Sequence, residues 1–102
     1  MTKELQIFME YKVKQEMIEE YEKLMSSILQ QLEVLGATDI NWFVASDQPY
    51  LYVEMFKVET HRQYEEIKQI RQSTSEPIFG KMIPLIEGGE KKIHCWAFER
   101  KE

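Results

Sequence analysis

Residues 92–99, KIHCWAFE, decide how this chain is read. In a strand, alternate side chains leave opposite sides, so Ile93, Cys95 and Ala97 share one face and His94, Trp96 and Phe98 the other. Neither face is plainly the wet one. Small apolar groups suit the underside of helices. A row of rings repeated across a sheet is too apolar to be left to water. Such a strand calls for helices on one side and a further cover on the other.

Working outward, residues 5–13, LQIFMEYKV, alternate in the same way and give a first strand. Residues 16–35 change period. Met17, Ile18, Tyr21, Leu24, Met25, Ile28, Leu29, Leu32 and Leu35 recur at three and four, which predicts an amphipathic helix ended by Gly36. Glutamates 16, 19 and 20 favour its start, although Gln15 is a weak N-cap. Residues 38–46 and 50–58 are rich in aromatic and β-branched residues, and the short DQP between them predicts a hairpin. Thr60 and Gln63 form a capping-box pattern that opens a second helix, with Tyr64, Ile67, Ile70 and the Arg71 stem inward, fading near Ser73. A short helical turn is expected from residues 75–78, bounded by Pro84, and Gly88 and Gly89 release the chain into the last strand.

The order is β-α-β-β-α-β over residues 1–102, with no repeat or linker, and one α+β domain is expected. Right-handed crossovers turn this order into a ferredoxin-like, four-stranded antiparallel sheet with both helices on one face. The helix-facing set is read as Ile7, Met9, Ile40, Val44, Val53, Met55, Ile93, Cys95 and Ala97. The open set is read as Phe8, Glu10, Asn41, Phe43, Ala45, Tyr52, Glu54, Phe56, His94, Trp96 and Phe98. No sequence remains to cover that second face. The simplest cover is a second copy, making a homodimer whose two sheets form an eight-stranded barrel.

The bulk numbers narrow the function classes. A formal net charge of −5 opposes phosphate backbones and anionic lipid surfaces, so neither nucleic acid nor membrane is expected as a partner. One cysteine makes no internal disulfide, and charge interrupts the start MTKELQIFME, so a cytoplasmic protein is expected. No apolar run approaches the roughly 20 residues that a membrane-spanning helix needs.

The layout resembles the dimeric α/β-barrel proteins, which include antibiotic-biosynthesis-type monooxygenases, haem-degrading monooxygenases, rhamnose-type mutarotases and NIPSNAP-like proteins. The likeness covers nearly all residues from Leu5 to Phe98. It rests on EEY at 19–21, GATDINWFV at 36–44 and SDQPYLYVEMF at 46–56, and not on a catalytic signature. The histidine that mutarotases carry one turn after the tyrosine falls at Met25, and no histidine lies in the later helical part where haem-degrading relatives have their ligand. What the resemblance implies is a cofactor-independent, monooxygenase-like site in an aromatic cavity, binding a small organic molecule. The alternative is a non-catalytic homodimer whose aromatic face serves only dimerisation.

Glu10, Glu54 and His94 are the candidate catalytic residues. Two carboxylates at mid-strand in a dry space would suit a general base or ligand-binding acid, or they pair with Lys12, Lys57 or a base of the second copy. His94 either donates to a ligand or to Glu10, or is a satisfied interface side chain. Phe8, Asn41, Phe43, Tyr52, Phe56 and Trp96 are the candidate ligand-binding residues. They either line a pocket or fill the barrel. Cys95 points away from His94, so the pair is no nucleophile-base dyad. His61 has no partners at metal-ligand spacing, and no metal or cofactor is expected.

Overall fold

The computed structural model describes residues 4–101. Strand β1 (Leu5–Lys12) is followed by a 3-10 turn (Gln15–Met17) and helix α1 (Ile18–Val34); β2 (Thr38–Val44) and β3 (Leu51–Val58) form the hairpin. Helix α2 (His61–Arg71), three 3-10 turns and β4 (His94–Glu99) complete the chain. The sheet order is β2-β3-β1-β4 with every pairing antiparallel, the ferredoxin-like arrangement, and its second face is open.

Local chemistry explains most boundaries. Without a capping side chain, the chain enters α1 through the 3-10 turn. It leaves through Gly36, whose φ of 98° is the left-handed stop that the periodicity predicted. The capping box opens α2 as expected: Thr60 Oγ1 accepts from Gln63 N at 3.1 Å while Gln63 Oε1 accepts from Thr60 N at 3.2 Å. The region after α2 differs from expectation. The first 3-10 turn there spans Phe79–Lys81, later than residue 75, and Glu76 caps its entrance: its carboxylate accepts from Ile78 N at 2.9 Å and its carbonyl from Gly80 N at 2.9 Å. A further turn (Gly89–Lys92) separates Gly88 from β4.

The core lies between the sheet and its helical cover. Helix α1 buries Tyr21, Met25, Ile28 and Leu32, and the segment after α2 adds Phe79, Met82, Ile83, Leu85 and Ile86. Each fully buried aliphatic or aromatic side chain contributes on the order of 1.5–3 kcal/mol relative to exposure. That segment is tied to the end of β1 by Lys14 N to Leu85 O at 2.9 Å and Glu87 N to Lys12 O at 2.8 Å.

One expected face assignment is reversed. Along β3, Tyr52, Glu54, Phe56 and Val58 are buried against the helices while Val53 and Met55 lie on the open side. The register agrees, since Tyr52, Glu54 and Phe56 stand opposite Tyr11, Met9 and Ile7. Both parities of this strand are apolar enough to be core, so alternation could not choose between them. The charge of Glu54 pointed outward, and a buried counter-charge overrides it.

Candidate functional site

The reversal splits the predicted site residues between two places. Phe8, Glu10, Asn41, Phe43, His94 and Trp96 lie on the open face, with Glu10 and Phe8 directly opposite His94 and Trp96 in the β1-β4 ladder. Asn41 and Phe43 sit at the far edge on β2. Glu54, Tyr52 and Phe56 are on the covered side and share no pocket with them, contrary to the expected grouping.

Inside the core, Glu54 and Arg71 are both fully buried and meet in a bidentate ion pair, Arg71 Nη2 donating to Glu54 Oε2 at 2.8 Å and Nη1 to Oε1 more closely still. The rest of the guanidinium is packed against soft groups. Met9 Sδ and Met82 Sδ lie 3.5 Å from its terminal nitrogens, and the Phe79 ring lies 4.9 Å away. Its Nε–H finds no acceptor among the described residues. Burial opposes the charged guanidinium, but the Glu54 carboxylate outweighs it and leaves the Arg71 pKa raised.

Two tyrosines extend this pair toward the surface. Tyr11 donates a very short hydrogen bond to Glu54 Oε2. Tyr11 and Tyr21 hydroxyls are 2.7 Å apart, and Trp42 Nε1–H donates to the Tyr21 oxygen at 2.9 Å. A hydroxyl has one proton, and Tyr11 gives its own to the carboxylate, so Tyr21 must donate to Tyr11. Every donor in the chain from Trp42 inward therefore points toward Glu54. Burial is the main reason that both phenols ionise only well above the ordinary tyrosine range. Tyr52, stacked beside Trp42, donates to Glu22 at 2.9 Å, and burial followed by that carboxylate pushes its phenol up to about 12. At neutral pH the interior thus holds neutral phenols around one ion pair.

The open face is built differently. Phe8 meets Phe98 edge-on at 5.2 Å, and His94 stacks on Trp96 at 5.9 Å. Phe43, Trp96 and Phe98 remain 49%, 46% and 51% exposed. Phe8, Glu10, Val53, Trp96 and Phe98 line a concavity of 330 Å³ with almost wholly apolar walls. Beside it, Glu10, Lys12, Glu87, Lys92 and His94 surround a second cleft of 360 Å³. A groove of 840 Å³ between α1 and β2 lies away from both, open to solvent, and gathers no buried polar group.

Sequence reasoning missed the Arg71 partnership and the role of Trp42. The signal was present: an arginine on the apolar stripe of α2 requires a buried acid, and Glu54 at mid-strand is the one that lies opposite. Cys95 does face the helices as expected, half-buried, and burial raises its thiol to about 11. Among the described residues no group of three or more His, Cys, Asp or Glu could hold a metal ion, and no helix is long and apolar enough to cross a membrane.

No family model and no curated protein sequence matches the chain. Its fold, however, is shared with solved structures. A cofactor-independent oxygenase, SnoaB from Streptomyces nogalater, superposes with a TM-score of 0.72 at 12% identity, covering 98% of this chain and 95% of that one. A putative antibiotic biosynthesis monooxygenase from Caulobacter crescentus gives 0.73 at 11% identity, covering 99% and 92%. A NIPSNAP family protein from Agrobacterium tumefaciens gives 0.69 at 17% identity, covering 100% and 90%. The chain therefore has the ferredoxin-like fold of the antibiotic-biosynthesis-monooxygenase-like and NIPSNAP structures. At these identities the likeness concerns the fold alone.

Proposed function

We propose that this chain is a single-domain, cytoplasmic protein that pairs with a second copy through its open sheet face and binds a small, partly apolar organic molecule there. The observation that carries the reading is the half-exposed pair of rings Trp96 and Phe98, which with Phe8 and Val53 wall an apolar concavity on the open face. Contiguous surface of this kind marks an interface or a ligand groove. A second copy laid over it would close the concavity of Phe8, Val53, Trp96 and Phe98 and leave Glu10 and His94 as the polar groups at its rim. The ring walls would bury the ligand's apolar part and the polar pair would orient its hydroxyl or carbonyl.

The most specific form of the proposal is a cofactor-independent oxygenase-like activity on an electron-rich aromatic substrate. Its support is the likeness to SnoaB, a cofactor-independent oxygenase, together with an aromatic concavity that contains Glu10 and adjoins a cleft shared by Glu10 and His94. Glu10 or His94 would remove the substrate's hydroxyl proton, and the resulting anion is the form that gives an electron to dioxygen. Glu54 has no place in this pocket, being on the other side of the sheet. The test is native mass spectrometry on protein purified from cells, followed by oxygen-uptake measurements with hydroxylated aromatic compounds. A dimer that retains a small molecule, or consumes oxygen in a way lost in Glu10→Gln and His94→Gln, is expected. A dimer that binds nothing and consumes nothing would leave dimerisation as the sole role of this face.

A further inference from the structure

We infer that Trp42, Tyr21 and Tyr11 form a one-electron relay into the core, with Glu54 as the acceptor of the phenolic proton. This goes beyond the proposed pocket and does not depend on it, since the two lie on opposite sides of the sheet. Three observations carry it. The rings are in near contact in series, with centroids 5.9 Å apart from Trp42 to Tyr21 and 5.8 Å from Tyr21 to Tyr11. The same three groups are joined by hydrogen bonds whose donors all point inward and end on a carboxylate. Finally, Trp42 is only partly buried, whereas Tyr11 and Tyr21 are 1% and 0% exposed, so an oxidant in solution reaches the chain at the indole.

A one-electron oxidant of the metal-complex or organic-radical class takes an electron from the Trp42 indole and is itself reduced by one electron. An electron from Tyr21 refills the indole. As it leaves, the Tyr21 O–H bond breaks and its proton passes to the Tyr11 oxygen, while the Tyr11 O–H bond breaks and its proton bonds to Glu54 Oε2. The products are a neutral tyrosyl radical at Tyr21 and a neutral Glu54 carboxylic acid. Electron transfer from Tyr11 to Tyr21, with return of one proton to Tyr21, moves the radical one step further in and leaves the proton on Glu54.

Buried phenols need such an acceptor because a tyrosine that loses an electron becomes strongly acidic and both rings are shut off from bulk solvent. The geometry supplies one carboxylate for both rings. Neutralising Glu54 leaves the Arg71 charge unbalanced in a dry site, which is unfavourable. The radical is therefore a short-lived relay state, and an external reductant such as ascorbate or a thiol restores the resting cluster by supplying one electron while the protons retrace their path.

The experiment is flash oxidation of the whole protein with photoexcited ruthenium tris-bipyridine and an irreversible electron-accepting quencher, followed by transient absorption and electron paramagnetic resonance. In the parent protein an indole radical should decay into a tyrosyl radical, more slowly in deuterated water. In Tyr21→Phe the tyrosyl yield should fall by an order of magnitude while the indole radical persists. Tyr11→Phe, which removes the proton path to Glu54, should lower it as well. A tyrosyl yield unchanged in both variants would assign the signal to Tyr50, Tyr52 or Tyr64 and overturn the relay. So would a Trp96→Phe protein, in which Trp42 is the one remaining indole, whose indole radical decays without a tyrosyl product. Circular dichroism checks that each variant folds, and the solvent isotope effect on the parent requires no variant.

Discussion

Replacing Arg71 with methionine tests the reading of the core most sharply. The side chain is fully buried, its cation is held by the two Glu54 oxygens, and methionine sulfurs and a phenylalanine ring already surround it. Methionine fills most of that volume, so the main change is electrostatic: Glu54 stays buried without its partner. Breaking one side of a buried pair costs about 3–5 kcal/mol, against a total stability of about 5–15 kcal/mol for a domain. The double variant Arg71→Met with Glu54→Gln removes both charges and should lie within about 2 kcal/mol of the parent, because a buried ion pair offers little net stability over neutral groups that fit. Urea unfolding at fixed chain concentration, followed by circular dichroism, gives the four stabilities that the cycle needs, those of the parent, Arg71→Met, Glu54→Gln and the double variant. If the single variant lost less than about 1 kcal/mol, or the double lost the sum of both singles, the buried-pair account would be refuted.

Three further outcomes follow from other parts of the molecule. Tyr11, Tyr21 and Tyr52 keep their protons in the folded state at a pH where unfolded tyrosines release them. Stability should therefore fall as the pH rises above about 10, by ~1.4 kcal/mol per unit for each such phenol, and a flat profile of urea midpoints through that range would contradict this. Thr60→Ala removes the side-chain acceptor of the α2 capping box and should cost about 1 kcal/mol in the same assay, with Thr60→Ser recovering most of it. Gly36→Ala places a Cβ where Gln63 Nε2 would lie 2.7 Å away, at a φ of 98°, and should lower the thermal midpoint by several degrees.

Much of the fold was legible because its elements announce themselves by period. The stripe through Tyr21, Met25, Ile28 and Leu32 could only be one face of a helix, and the Thr60 to Gln63 box marked the start of α2. Antiparallel pairing of short, ring-rich strands then left few arrangements. The candidate site was legible only in part. His94, Trp96 and Phe98 were placed correctly because Ile93, Cys95 and Ala97 made the other parity unmistakably the small, helix-facing one. In β3 that contrast is missing, since Val53 and Met55 are as apolar as Tyr52 and Phe56. There the charge of Glu54 was taken as a surface sign, although it answers to Arg71, 17 residues further along. A pairing of that kind is a three-dimensional fact that local alternation does not contain. The inward order of donors from Trp42 to Glu54 is likewise set by four elements meeting in space.

The proposed pairing of two copies through the open sheet face is what would enclose the aromatic concavity. Sedimentation equilibrium at micromolar concentration tests it directly, on the parent and on a Trp96→Glu variant that places a charge among the exposed rings. Twice the chain mass is expected for the parent and a shift toward single chains for the variant. A parent protein that sediments as one chain while remaining folded would contradict it.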